Sequence, residues 1–172
     1  HVEKAAGMIA SGRTGAMMDM HCALMRISYG LVYFERPDEK RGASFEAFEI
    51  PFAVEGETRT PEGVFCAHIT DDLTVGADPY TAYMDFAAVP EALTVRRRLP
   101  GDRFRPLGAP GERKLKEYFI DRKLPREARE TPLVASGGTV LFVPGCGIAD
   151  SVKVKANTAR VLRVKYIKNS NP

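Results

Sequence analysis

Cysteine is scarce in this 172-residue chain. Cys22, Cys66 and Cys146 are odd in number and far apart, which suits reduced thiols in a cytosolic protein better than a secreted disulfide framework. His21 beside Cys22, and Cys66 two residues before His68, resemble metal half-sites, but no Cys-x-x-Cys or His-x-x-x-His spacing accompanies them. No metal site is expected from such isolated pairs. A run of 18 apolar residues is missing, as is a charged-then-apolar leader, so neither a membrane span nor a signal peptide is expected, and the reading is cytoplasmic. Gly-x-x-x-x-Gly-Lys-Ser/Thr, Gly-x-Ser-x-Gly and any usefully spaced Ser, His, Asp or Cys, His set are all absent, so no catalytic residue is expected in this chain. The sequence opens at His1 inside what reads as a helix, and this start predicts a piece of a longer protein.

What the chain has is charge, unevenly placed. Residues 1–90 carry 7 basic and 14 acidic side chains, a net −7, whereas residues 91–172 carry 18 and 8, a net +10. Residues 95–132 alone hold twelve Lys and Arg. A concentrated positive field of this kind draws in polyanions and gains from counterion release, so nucleic acid or an acidic surface is the expected partner.

Hydrophobic periodicity gives the elements. Residues 2–10 have helical spacing, ended by Gly12 and Gly15. Residues 24–34 alternate as a single strand, and the charged stretch after them reads as a loop. Residues 45–69 read as a hairpin with its turn in Glu-Gly-Glu-Thr-Arg-Thr-Pro-Glu-Gly. A short strand near residue 83 leads to a turn or helical stub at Val89–Ala92. Residues 111–123 place Leu115, Tyr118, Phe119 and Arg122 at i, i+3, i+4 and i+7, a helix whose apolar stripe packs inward and leaves Lys114 and Lys116 wet. Pro125 opens a second short helix, with Pro132 against its continuation. Strands are expected at 132–135, 139–144, 151–155 and 161–167. The fold class is thus α+β, with antiparallel sheets in a sandwich-like arrangement, one main helix and a short second one, after a helical remnant.

In Arg-Arg-Arg-Leu-Pro-Gly-Asp-Arg-Phe-Arg-Pro-Leu-Gly, proline and glycine turns fix the backbone while five arginines project. The planar guanidinium grips phosphate oxygens and loses little hydration on docking. The competing reading is a solvated loop with internal pairs to Asp102 or Glu91. Asp102 reads as a turn residue or an arginine orienter, and Tyr118 and Phe119 as core. Basic groups with few free aromatics favour recognition of a duplex by backbone and shape. Ser136-Gly137-Gly138 lacks the Asp-Ser of a pyrophosphate loop and precedes a strand, so it reads as a hairpin turn.

With these elements in order, namely the Arg-rich lead-in, Pro-Gly-Asp-Arg-Phe, Pro-Leu-Gly, Lys-Leu-Lys, Phe-Ile-Asp-x-Lys-x-Pro-Arg and a later Val-Pro-Gly, residues 80–167 resemble the C-terminal part of the bacterial tRNA(Ile)-lysidine synthetase family. The resemblance implies a parent ligase that uses ATP and magnesium to join lysine to the wobble cytidine of an isoleucine tRNA with a CAU anticodon. It places that chemistry in an N-terminal domain absent here, and implies a fold like a domain of the phenylalanyl-tRNA synthetase beta chain. It implies that residues 1–16 end the middle, tRNA-contacting domain, that 17–90 form a β-rich acidic segment, and that 91–172 form a basic domain binding the tRNA acceptor stem, free to pack with 17–90 as one unit. Carried over by position, its basic groups are Arg96, Arg98, Arg103, Lys114, Lys116, Lys123 and Arg126, with Arg97, Arg105 and Arg113 as weaker, electrostatic candidates. No cofactor is expected in the fragment itself, nor a membrane. The rival readings are a general RNA- or ribosome-binding module and a protein-interaction domain with a basic face.

Overall fold

The structure, a computed structural model, describes residues 2–20, 23–35 and 46–169. It is mixed α+β, with several antiparallel sheets and few helices, and divides into two compact units, residues 1–46 and 47–172. His21, Cys22 and most of the charged stretch after residue 34 lie outside the described residues. No helix among the described residues is long and apolar enough to cross a membrane.

The first unit holds α1 (Val2–Ser11) and a meander of β1 (Met17–Asp19), β2 (Leu24–Ser28) and β3 (Leu31–Glu35). The single strand expected over 24–34 is therefore a hairpin. Ser28 pairs with Leu31 across a two-residue turn, in which Tyr29 and Gly30 both take positive φ, 49° and 81°. Glycine meets that requirement without strain, but a tyrosine there gives no such signal in the sequence.

The second unit has two sheets around one core. The four-stranded sheet runs β5 (Gly56–Thr60), β6 (Gly63–Thr70), β14 (Val161–Lys168), β7 (Thr81–Asp85). The larger sheet runs β10 (Arg113–Lys114), β9 (Arg103–Phe104), β12 (Thr139–Val143), β11 (Leu133–Ser136), β8 (Thr94–Arg96), β4 (Glu49–Pro51), with β13 (Gly147–Ile148) also on β12. Phe65 of the first sheet meets Phe142 of the second edge to face, 6.4 Å between ring centres. Aromatic burial of this order is a main stabiliser of such a core.

Three expectations change. The hairpin of 45–69 is not one element: β4 leaves it to pair with β8, and the hairpin is β5–β6, closed by Thr60, whose hydroxyl both donates to and accepts from Gly63. The strand at 151–155 is a 3₁₀ turn at Asp150–Val152 followed by a single bridge from Lys153 to Met84, because the Asp150 carboxylate accepts from Gly108 N and Lys153 Nζ and bends the chain. From residue 47 onward the segment before residue 90 packs with the basic segment. The four-stranded sheet joins strands from 56–85 to β14, and β4 joins the larger sheet, so 47–90 and the basic segment share one core. The expected border at residue 16 lies inside the first unit, whose meander follows α1 directly.

The main helix, α2 (Leu115–Asp121), is shorter than expected, since Arg113 and Lys114 are drawn into β10 and Leu115 N donates to Asp102 O at 2.8 Å. Leu115, Tyr118 and Phe119 are buried as their spacing predicts. α3 (Arg126–Arg129) follows, with Pro125 as its N-cap.

Candidate nucleic-acid interface

The basic residues fall into three groups by what surrounds them. Arg96 and Arg97 are interior. Arg96 is 2% exposed and donates to both oxygens of Asp102, at 2.9 and 2.8 Å, and to the carbonyls of Arg97 and Gly137 at 2.9 and 2.7 Å. Arg97 stacks on Phe48, 5.2 Å from the ring centre, pairs with Glu62 and donates to Glu130 O. A guanidinium with its donors engaged inside the protein is not offered to a ligand, so both residues hold the fold.

The second group is paired at the surface. Arg98 donates to Glu130 at 2.9 Å, Arg103 pairs with Glu112 and Arg113 with Asp121, while Arg105 lies 3.6 Å from Asp150 and donates to Ala109 O. The pairs of Arg103 and Arg113 are exposed, weak and exchange readily for a phosphate, whereas Arg98 and Arg105 meet carboxylates that are largely buried. Hydrogen bonds from Gly108 N and Lys153 hold the Asp150 carboxyl below its ordinary value, so it stays charged beside Arg105.

The third group is free. Lys114, Lys116, Lys123 and Arg126 are exposed, and among the described residues none has an ion pair or hydrogen bond through its side chain. Lys116, Ile120 and Lys123 fall at i, i+4 and i+7 along α2 and its end. Lys123 takes a left-handed conformation, φ 53°, with its N–H on Ile120 O and the next N–H, of Leu124, on Phe119 O. That is a Schellman helix end with lysine where glycine is usual.

Sequence reasoning missed Arg122, which it placed on the apolar stripe. The residue is exposed, its guanidinium lies over the Tyr118 ring 5.6 Å from the centre, and it has no carboxylate partner among the described residues. It forms one wall of a cleft of about 370 Å³ between loop 75–79, the turn at Pro106–Leu107, α2 and Cys146–Ile148. The loop lies close on the sheet: a β-carbon at Gly76 would come within 2.7 Å of the Tyr83 hydroxyl. Burial pushes the Tyr118 hydroxyl and the Cys146 thiol up, so both stay protonated at neutral pH. The cleft draws on four separate segments, so no local pattern could have signalled it.

Ser136-Gly137-Gly138 does not fit a nucleotide. Gly137 and Gly138 are the turn between paired Ser136 and Thr139, the chain continues as β12 rather than a helix, and Gly137 O is occupied by Arg96. Nor, among the described residues, do three or more His, Cys, Asp or Glu side chains gather to hold a metal ion such as magnesium.

Comparison with known proteins bears on the same residues. A family model described as TilS substrate C-terminal domain matches residues 93–166. The chain is 34% identical over 147 residues to tRNA(Ile)-lysidine synthase of Caldanaerobacter subterraneus subsp. tengcongensis, covering 84% of this chain and 31% of that protein. Against tRNA(Ile)-lysidine synthase of Symbiobacterium thermophilum it is 32% identical over 155 residues, covering 81% and 30%. It therefore spans less than a third of each relative's length. A crystal structure of a TILS C-terminal domain superimposes with a TM-score of 0.63 at 27% identity, over 73% of this chain and 100% of that one.

Proposed function

Because this chain belongs to the tRNA(Ile)-lysidine synthase family, we propose that it is the tRNA-holding part of such an enzyme and acts by positioning its substrate. The observation that carries this reading is the set Lys114, Lys116, Lys123 and Arg126, four exposed cations with no acid partner among the described residues. In the same basic stretch of sequence, Arg103 and Arg113 hold exposed carboxylates that a phosphate can replace. Such a surface suits the backbone of an RNA duplex, and the acceptor stem of the isoleucine tRNA is the duplex we assign to it.

Ligation of lysine to the wobble cytidine, with ATP as the activating group, would then be the work of residues outside those described. What this chain supplies is geometry. A tRNA held at a second point keeps its reactive base near the catalytic groups, raising their effective concentration without new chemistry. The place of work is the cytoplasm, where tRNA is modified.

Titration of labelled tRNA at several salt concentrations tests the reading. A saturable complex is expected, with log K falling linearly in log salt. Replacing Lys114, Lys116, Lys123 and Arg126 together by glutamine lowers that slope by about 0.7 to 0.9 per charge while the fold persists by circular dichroism. Absence of a complex at low salt with folded protein overturns the proposal, and equal competition by any duplex RNA reduces it to a general RNA-binding module.

A further inference from the structure

We propose that the cleft beside α2 receives one unpaired nucleotide, the base inside and the phosphate on Arg122, and that this nucleotide comes from the single-stranded 3′ end of the tRNA. The inference rests on the tRNA-holding role and adds a base-binding subsite to a surface otherwise suited only to phosphates.

Size is the first argument. About 370 Å³ lies at the small end of the range for ligand pockets and suits a single nucleotide rather than a folded segment. The second is the lining. Val75, Pro79, Leu107 and Ile148 present apolar surface, with Leu107 59% exposed although it is a large aliphatic side chain. A nucleobase, flat and largely apolar on its faces, covers such surface well.

Charge is the third. The cleft's acid, Asp78, has both oxygens engaged, accepting from Tyr80 N at 3.0 Å and from the Thr81 hydroxyl at 2.6 Å. Arg122 has no carboxylate partner among the described residues and is followed directly by exposed Lys123. The bonds from Tyr80 and Thr81 hold the Asp78 carboxylate on its own loop, and the apolar floor of Val75, Pro79, Leu107 and Ile148 beside the Arg122 cation matches a base joined to its phosphate. The Tyr118 hydroxyl and Cys146 thiol, both raised by burial, add no charge of their own to the cleft.

The test compares intact tRNA with tRNA trimmed of its unpaired 3′ nucleotides, each bound to the wild-type chain and to the surface variants Leu107→Asp and Arg122→Gln, with fold checked by circular dichroism. For the wild type, trimming is expected to weaken binding about tenfold. For both variants, trimmed and intact tRNA are expected to bind alike. Wild-type protein that binds both RNAs equally, with its salt dependence intact, overturns the cleft assignment and leaves the basic surface standing. A trimming loss undiminished in both folded variants also overturns it. Failure of the wild type to bind either RNA overturns the tRNA-holding role and the cleft together.

Discussion

Arg96 on β8 grips Asp102 through two parallel hydrogen bonds of 2.9 and 2.8 Å, in a place where both side chains are almost fully removed from water. Asp102 also accepts from Leu99 N at 2.7 Å, so this one carboxylate ties the arginine run to the Pro-Gly turn that follows it. The first arginine of the run is thus a fastener for the loop that carries the others.

Removing one partner should therefore be costly. Asp102→Asn leaves a buried guanidinium without its counter-charge and is expected to lower stability by about 3 to 5 kcal/mol. The double replacement Arg96→Met with Asp102→Leu should recover part of this, though not all, since the double variant leaves Leu99 N and the carbonyls of Arg97 and Gly137 without their partners. Urea unfolding of the three proteins checks both statements.

Glu112 restrains Arg103 at the surface. Glu112→Gln removes a negative charge from the interface and frees the guanidinium. Stability should change by less than about 1 kcal/mol, as for exposed pairs generally. Affinity for tRNA at low salt should rise by about threefold, and the gain should shrink as salt is added. Filter binding across a salt series measures it.

Lys123 carries two effects of opposite sign. Its left-handed backbone is strained for a residue with a β-carbon, so Lys123→Gly should stabilise the chain by about 0.5 to 1 kcal/mol. The same change deletes a free cation and should flatten the salt dependence of tRNA binding by about 0.7 to 0.9. A thermal melt and a binding series on the one variant separate the two.

Acid should loosen the second unit. The Asp150 carboxyl lies below its ordinary value, chiefly through the Gly108 hydrogen bond and then through Lys153. The unfolded chain binds its proton more readily than the folded one, so this contribution is fully present above about pH 4 and disappears as pH falls through the folded value. Asp150→Asn should bring a smaller loss of urea midpoint between pH 5 and pH 2 than the wild type shows.

Where structure follows from local repetition, the sequence was a good guide. Leu115, Tyr118 and Phe119 are buried because helical spacing alone puts them on one face, and the four free cations lie in the basic stretch that the charge count singled out. Where structure depends on distant partners, it was not. Nothing near Arg96 and Arg97 says that Gly137, Glu62 and Glu130 will close around them and take them out of the interface. The same holds for β4, whose partner β8 lies more than forty residues along the chain, and for Arg122, whose cleft needs loop 75–79 and Cys146–Ile148.

The position of β14 bears on how this chain comes to be folded in a cell. It lies between β6 and β7, although both precede it by many residues. During synthesis, those two strands leave the ribosome with open hydrogen-bonding edges. They keep them until residues 161–168 emerge and Leu162, Val164 and Tyr166 reach the core. This sheet therefore cannot close before residues 161–168 are made, its long-range pairings slow its folding, and adhesive strand edges stay exposed in the interval.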